Sequence, residues 1–273
     1  MEHKLKFKHI GVAYVSGLSR RFRSNGDFGD WISDVHEWRM IGKLQPLLAY
    51  NQWPKAVRGV VSSWKKCDGF VVILSRADFF FYAQTIAMML GTIGKPIVYV
   101  CTDSDTDANE SAFRVQMIDA LQTVVQDISG HLVIRDHAAI PLQEYAQSHA
   151  RTMYGYFDFG LRLSPHAPRR TVIGPKAPHV KVSAVIATSP TKGAHAIISN
   201  ADIPSSRIPV LIISKSGVKL RASDGVHVLK YTHTDTAKAQ FMWAVQKGVE
   251  AGDFSDIAAD MQTPRIDTLH ERL

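Results

Sequence analysis

Cysteine is scarce in this chain: there are two, Cys67 and Cys101, in 273 residues. Two thiols exclude the disulfide framework that staples small secreted folds, and they fit a reduced, cytoplasmic compartment. Long apolar runs are also missing. No stretch reaches the roughly 18 consecutive apolar residues that a membrane-spanning helix needs, so no membrane partner is expected. The start, Met1–His9, is charged and lacks the apolar centre of a secretion signal. The 12 histidines fall outside His-Glu-x-x-His and Cys/His ligand spacings, so no metal site and no cofactor are expected. Acidic residues are locally scarce: residues 166–221 hold nine Lys or Arg against the single acid Asp202, within a net charge of +7. That bias reads either as a footprint for nucleic acid or another polyanion, or as a solvated linker and domain face. Neither interleaved aromatics nor an RNA-binding motif accompanies it. Internal repeats and low-complexity tracts are absent as well.

What is present is ordinary globular composition, 45% hydrophobic and 21% charged, long enough for one large domain plus a small one. Lys65–Val100 is the clearest segment. Two β-branched apolar runs, Phe70–Leu74 and Ile97–Cys101, flank a helix over Phe79–Leu90, which Gly91, Gly94 and Pro96 terminate. This is a βαβ unit of a parallel sheet, and ligands of such sheets gather at the carboxyl ends of the strands. The Ser75-Arg76-Ala77-Asp78 turn sits at such an end.

Elsewhere, Leu5–Val15 reads as a strand, and Ile32–Leu48 and Pro54–Trp64 as helices. Asn109–Ile128 is expected to be a long helix, since Phe113, Met117, Leu121, Val124 and Ile128 recur at helical spacing. Leu132–Ile134 is a short strand. Pro165, Pro168, Pro175 and Pro178 crowd one stretch and suit an extended linker. The expected organisation is an N-terminal α/β domain over 1–164, a Pro-rich linker over 165–179 and a small α/β domain over 180–273. The small domain is expected to hold strands at Val180–Ala187, Ala196–Ser199, Val210–Ser214 and Val226–Lys230, with a helix over Thr236–Gly248 ended by Gly248 or Gly252. Phe79-Phe80-Phe81-Tyr82 reads as helix packing against the sheet or as a contact with a partner.

These residues fall in order along a known pattern. Asp68-Gly69-Phe70-Val71-Val72, Ala83 and Lys95-Pro96-Ile97-Val98 match a stretch of the type I/II L-asparaginase and glutaminase family, which the chain resembles nearly end to end. Ser16-Gly17-Leu18-Ser19 stands where the family has Thr-Gly-Gly-Thr, and Arg20–Gly29 where it has a mobile lid carrying a Tyr. Ser111–Ala120 stands where it has a Ser-Ala-Asp-Gly-Pro stretch. Ile208–Gly217 and Lys238–Ala244 resemble a strand and a helix of its small second domain, and Asn200–Pro204 a shortened version of the segment near its subunit contact. The resemblance implies a parallel-sheet N-terminal domain, a smaller α/β C-terminal domain, a homo-oligomer or larger assembly, and a small amide or amino-acid ligand.

The resemblance also points to site residues, each with an alternative. Ser16 falls on the family's nucleophilic Thr, or is a Ser tolerated in a strand-to-loop turn. Ser19 falls on the hydroxyl at the end of the same motif, and Asn51 near the substrate-binding Ser. The family's Thr-Asp pair, a hydroxyl and a carboxylate for the substrate's amino group, falls on Arg76-Ala77. Asp78, one residue on, replaces that carboxylate or caps the Phe79 helix. Arg76 pairs with a carboxylate ligand or fills the old pocket. The lid has Phe22 and Phe28 but no Tyr, and Arg135–Ala150, where the family has its catalytic Lys, contains no Lys. Asp103, Asp105 and Asp107 mimic a calcium loop, but Ala108 and Arg114 stand where that loop needs Gly and Glu. His233-Thr234-Asp235-Thr236 looks like the family's His-Gly-Thr-Asp-Thr but precedes a helix of the other domain, where Thr234 or Asp235 would cap.

Two functions follow. In one, the chain is an asparaginase-fold protein that has lost catalysis and serves as a binding or structural component, a pseudoenzyme. In the other, it is an active amidohydrolase that converts a side-chain amide to acid and ammonia through Ser16. Losing one member of a coupled catalytic set costs orders of magnitude in rate, and several are changed here, which favours the first.

Overall fold

In a computed structural model of the chain, the residues described are 9–15, 37–44, 55–76, 79–91, 94–102, 110–135, 137–142, 145, 154–157, 160–163, 184–203, 205–215, 217–229 and 234–262. They form two sheets. The first has eight strands: β1 (His9–Val15), β2 (Glu37–Leu44), β3 (Gly69–Ser75), β4 (Pro96–Thr102), β5 (Gly130–Arg135), β6 (Ala138–Pro141), β7 (Tyr154–Phe157) and β8 (Gly160–Leu163), in the order β2-β1-β3-β4-β5-β6-β7-β8. β1 to β5 are parallel, and β6 to β8 extend the sheet antiparallel.

Parallel strands covered on both faces read as unbroken apolar runs, and β3 shows why. Phe70, Val72 and Leu74 pack in one cluster with helices α1 (Lys55–Ser63) and α2 (Phe79–Leu90), whereas Val71 and Ile73 pack in another with α3 (Glu110–Val124). Gly69 opens the strand where a Cβ would stand 2.7 Å from Val124 Cγ1 and 2.9 Å from Pro96 Cγ. Asp68 ties β1 to the start of β3: its carboxylate accepts the His9 N–H at 2.8 Å, and its own N–H donates to the His9 carbonyl at 2.6 Å. Lys95 closes the end of α1. Its ammonium donates to the carbonyls of Trp64 at 2.6 Å and Cys67 at 2.5 Å and lies 4.8 Å from the centre of the Trp64 ring, a favourable place for a cation at a helix C-terminus.

The second sheet has the order β13-β12-β11-β10-β9, from β9 (Ile186–Ala187), β10 (Ala196–Ser199), β11 (Val210–Ser214), β12 (Gly217–Ala222) and β13 (Gly225–Leu229). β9, β10 and β11 are parallel, and β11, β12 and β13 are antiparallel. Helices α4 (Thr234–Ala251) and α5 (Ile257–Gln262) pack on one face through Phe241, Met242, Val245 and Met261. Gly252, at φ 70°, stops α4. Gly248 lies inside α4, where a Cβ would collide with the Phe254 ring.

The two sheets share one core. Residues of α2 and of α4 belong to the same buried cluster, which explains why α2 is buried at every position except Phe80. A helix apolar on all sides needs cover on all sides, and here the sheet supplies one side and α4 another. The Phe79–Tyr82 run therefore packs against more than the sheet alone.

The α/β class and both βαβ strands match the sequence reading. One element is corrected: Ile32–Leu48 is not a helix, because Glu37–Leu44 is the edge strand β2, paired parallel with β1. Its register shifts between Val12 and Ala13, where β2 spends one extra residue. Such a bulge breaks the two-residue alternation that marks a strand. Of Val180–Ala187 only Ile186–Ala187 is strand among the described residues, and β6, β7, β8 and β12 are strands that the sequence pattern did not mark. The Pro-rich stretch 165–179 lies outside the described residues.

Candidate functional site

The first sheet reverses its winding between β1 and β3. The chain moves from β1 to β2 on one side, and β3, β4 and β5 follow on the other. Such a switch point leaves a crevice outside the carboxyl ends of the flanking strands, where α/β sheets take their ligands. Register brings those ends level. Tyr14 pairs with Ile73, Val15 pairs with Leu44, and Ser75 pairs with Thr102. The carboxyl ends of β1, β2, β3 and β4 thus share one sheet edge.

Of the five candidate residues, only Arg76 is described. It follows β3 directly and is exposed, and its carbonyl accepts the N–H of Phe79 at 3.5 Å, the first turn of α2. β1 ends at Val15, one residue before Ser16. Ser16, Ser19, Asn51 and Asp78 lie outside the described residues, as do the Asp103–Asp107 run and the Arg20–Gly29 segment.

The same edge carries a group that the sequence did not mark. Tyr145 stacks on Phe80 at 5.6 Å between ring centres and meets Phe79 edge-on at 5.9 Å. The guanidinium of Arg135, at the carboxyl end of β5, lies 5.8 Å from the Tyr145 ring centre. Contacts of this kind contribute about 0.5–1.5 kcal/mol each beyond burial. They fix the start of α2, and with it the turn that bears Arg76. Tyr145 and Arg135 belong to the stretch in which the sequence reading sought a Lys; an aromatic signal was available there but had no period to reveal its partner.

Two buried polar groups shape the surroundings. Burial pushes the Asp119 carboxyl above the ordinary carboxylate range, opposed by His137, whose Nδ1 lies 3.1 Å away. His137 has φ 58° in the turn after β5. Deeper in the sheet, the Tyr99 hydroxyl is 2.9 Å from His131 Nδ1, and His131 Nε2 is 3.0 Å from the Gly91 carbonyl. A carbonyl only accepts, so Nε2 carries the hydrogen and Nδ1 receives the Tyr99 hydroxyl. Burial holds the Tyr99 phenol well above its ordinary value, so it stays protonated and able to donate. This network anchors the end of α2 to β4 and β5 and belongs to the scaffold. Among the described residues no group of three or more His, Cys, Asp or Glu is arranged to hold a metal ion, and no helix is long and apolar enough to cross a membrane.

No protein-family model matches the chain, and no curated protein matches it in sequence. Solved structures do match in shape. L-asparaginase I from Vibrio cholerae O1 biovar eltor superposes with a TM-score of 0.61 at 12% identity, over 96% of this chain and 100% of that one. The thermostable L-asparaginase from Thermococcus kodakarensis superposes with a TM-score of 0.62 at 13% identity, over 95% of this chain and 99% of that one. With a parallel-sheet N-terminal part, a smaller α/β C-terminal part and near-complete coverage in both directions, the chain has the L-asparaginase fold.

Proposed function

We propose that this chain is an asparaginase-fold protein that no longer hydrolyses amides and acts as a binding or structural component. One observation carries the reading. The turn beside the switch point opens on an exposed Arg76, where the family resemblance expects the neutral Thr of the pair that receives a substrate's amino group. A guanidinium about 4 Å from an ammonium costs about 1 kcal/mol in water and about 4 kcal/mol at an effective dielectric of about 20. The larger figure is a loss of roughly a thousandfold in affinity. Ser16, Ser19, Asn51 and Asp78 surround the old cleft in this reading, and Arg76 occupies it. Arg20–Gly29 holds no Tyr and Arg135–Ala150 no Lys, so in this reading Ser16 is without the family's partners that would activate a hydroxyl nucleophile. The same reading divides the chain into domains at 1–164 and 180–273 joined by 165–179. It also assigns a reduced, cytoplasmic location, which the two cysteines, neither in a disulfide, support.

The test is calorimetric titration with L-asparagine and L-aspartate. The wild-type protein is expected to give no binding heat at millimolar ligand. Arg76→Thr combined with Ala77→Asp is expected to bind, and more tightly than either single variant. Wild-type protein binding as tightly as the double variant would overturn the reading.

A further inference from the structure

Among the described residues neither edge of the second sheet has a neighbour, and of the two edge strands β9 has two residues and β13 five. β13 ends the strand order and pairs with β12 alone among the described residues. Folded proteins guard such edges with Lys, Pro, bulges or inward charges, because the open N–H and C=O groups template another strand. β13 has none of these guards. It reads Gly-Val-His-Val-Leu, without Lys, Arg, Asp, Glu or Pro, and its register with β12 runs unbroken through five pairs. Val226 is 48% exposed and Val228 71%. Both share a face with Arg221 and Lys219, their partners on β12.

We propose that β13 pairs antiparallel with β13 of a second copy of this chain about a twofold axis, joining two five-stranded sheets into one. An antiparallel strand is its own complement, and a twofold contact closes without creating a new edge. The register of greatest overlap sets His227 opposite its mate. Val226 of each copy then faces Val228 of the other, a cross-strand pairing of β-branched residues. Charge decides between edge and face. Face-to-face packing would press Lys219 and Arg221 against their own copies. Edge pairing keeps the two β12 strands three spacings apart, roughly 14 Å at about 4.8 Å per spacing, beyond the Debye length of about 8 Å at physiological salt. A five-residue edge buries less than the roughly 1,200 Å² of a standard interface, so the dimer is weak and reversible.

Sedimentation velocity of the full chain, from micromolar to hundreds of micromolar, tests this. The weight-average mass is expected to rise with concentration from 30.3 kDa toward twice that value. Val228→Lys and Val226→Lys are each expected to move the midpoint at least tenfold to higher concentration, with unchanged circular dichroism. Ile118→Lys, at a comparably exposed site on α3 (42%), is expected to leave the midpoint in place. A monomer at every concentration, a dimer indifferent to both valine substitutions, or growth beyond a dimer would overturn the proposal.

Discussion

Replacing Tyr99 with phenylalanine removes one hydroxyl from a fully buried position and leaves the ring that lies 6.0 Å from His131, centre to centre, at 16°. Ring packing is therefore preserved, and the change isolates a hydrogen bond. What is lost is the donor to His131 Nδ1, 2.9 Å away. His131 itself is 2% exposed, so water does not readily replace that donor. A buried acceptor deprived of its partner costs about 1–3 kcal/mol, a drop of roughly 5- to 150-fold in the folding equilibrium constant. The tautomer sharpens the expectation. Nε2 is committed to the Gly91 carbonyl at 3.0 Å, so the ring cannot compensate by moving its proton to Nδ1 without giving up that bond. Urea unfolding of wild type, Tyr99→Phe, His131→Phe and the double variant forms a cycle. The two single changes are expected to be non-additive, with a coupling of about 0.5–3 kcal/mol, the range for residues in one network. Additive effects, or a Tyr99→Phe variant within about 0.5 kcal/mol of wild type, would refute the network as described.

Two further outcomes follow from the scaffold. Gly69→Ala puts a methyl 2.7 Å from Val124 Cγ1 and 2.9 Å from Pro96 Cγ; overpacking of this kind costs about 1–3 kcal/mol, and an unchanged urea midpoint would contradict it. Asp119 sets a pH dependence. Its folded carboxyl is raised above the ordinary 3.8 by burial, so as pH rises the unfolded chain loses this proton first, and stability present at low pH is lost through that window. The stability of wild type relative to Asp119→Asn is expected to fall as pH rises above about 4, the ordinary Asp value; a rise instead would show that His137 outweighs burial.

The βαβ unit was legible because its period and its breakers agree. Phe70–Leu74 is apolar at every position, as a strand covered on both faces must be, and Gly91 ends α2 at φ 61°. β2 was not legible. Its bulge breaks the strand period, and one edge strand offers few residues from which to recover it. β12 escaped for another reason: Lys219 and Arg221 alternate with buried Val218 and Leu220, a two-residue pattern short enough to read as a basic loop. Of the candidate residues, sequence placed Arg76 in the turn after β3, where it stands, and the other four lie outside the described residues. Sequence did not find Tyr145, because the contact with Phe79 and Phe80 joins residues more than sixty positions apart, and no local spacing encodes such a contact.

Release of ammonia by the purified protein from L-asparagine, L-glutamine and related side-chain amides tests the central claim most directly. An asparaginase fold with Arg76 at the turn after β3, and without the matching Lys and Tyr, is expected to release none above the uncatalysed background. Turnover above about one per second, within the ordinary range of enzymes, and abolished by Ser16→Ala, would contradict it.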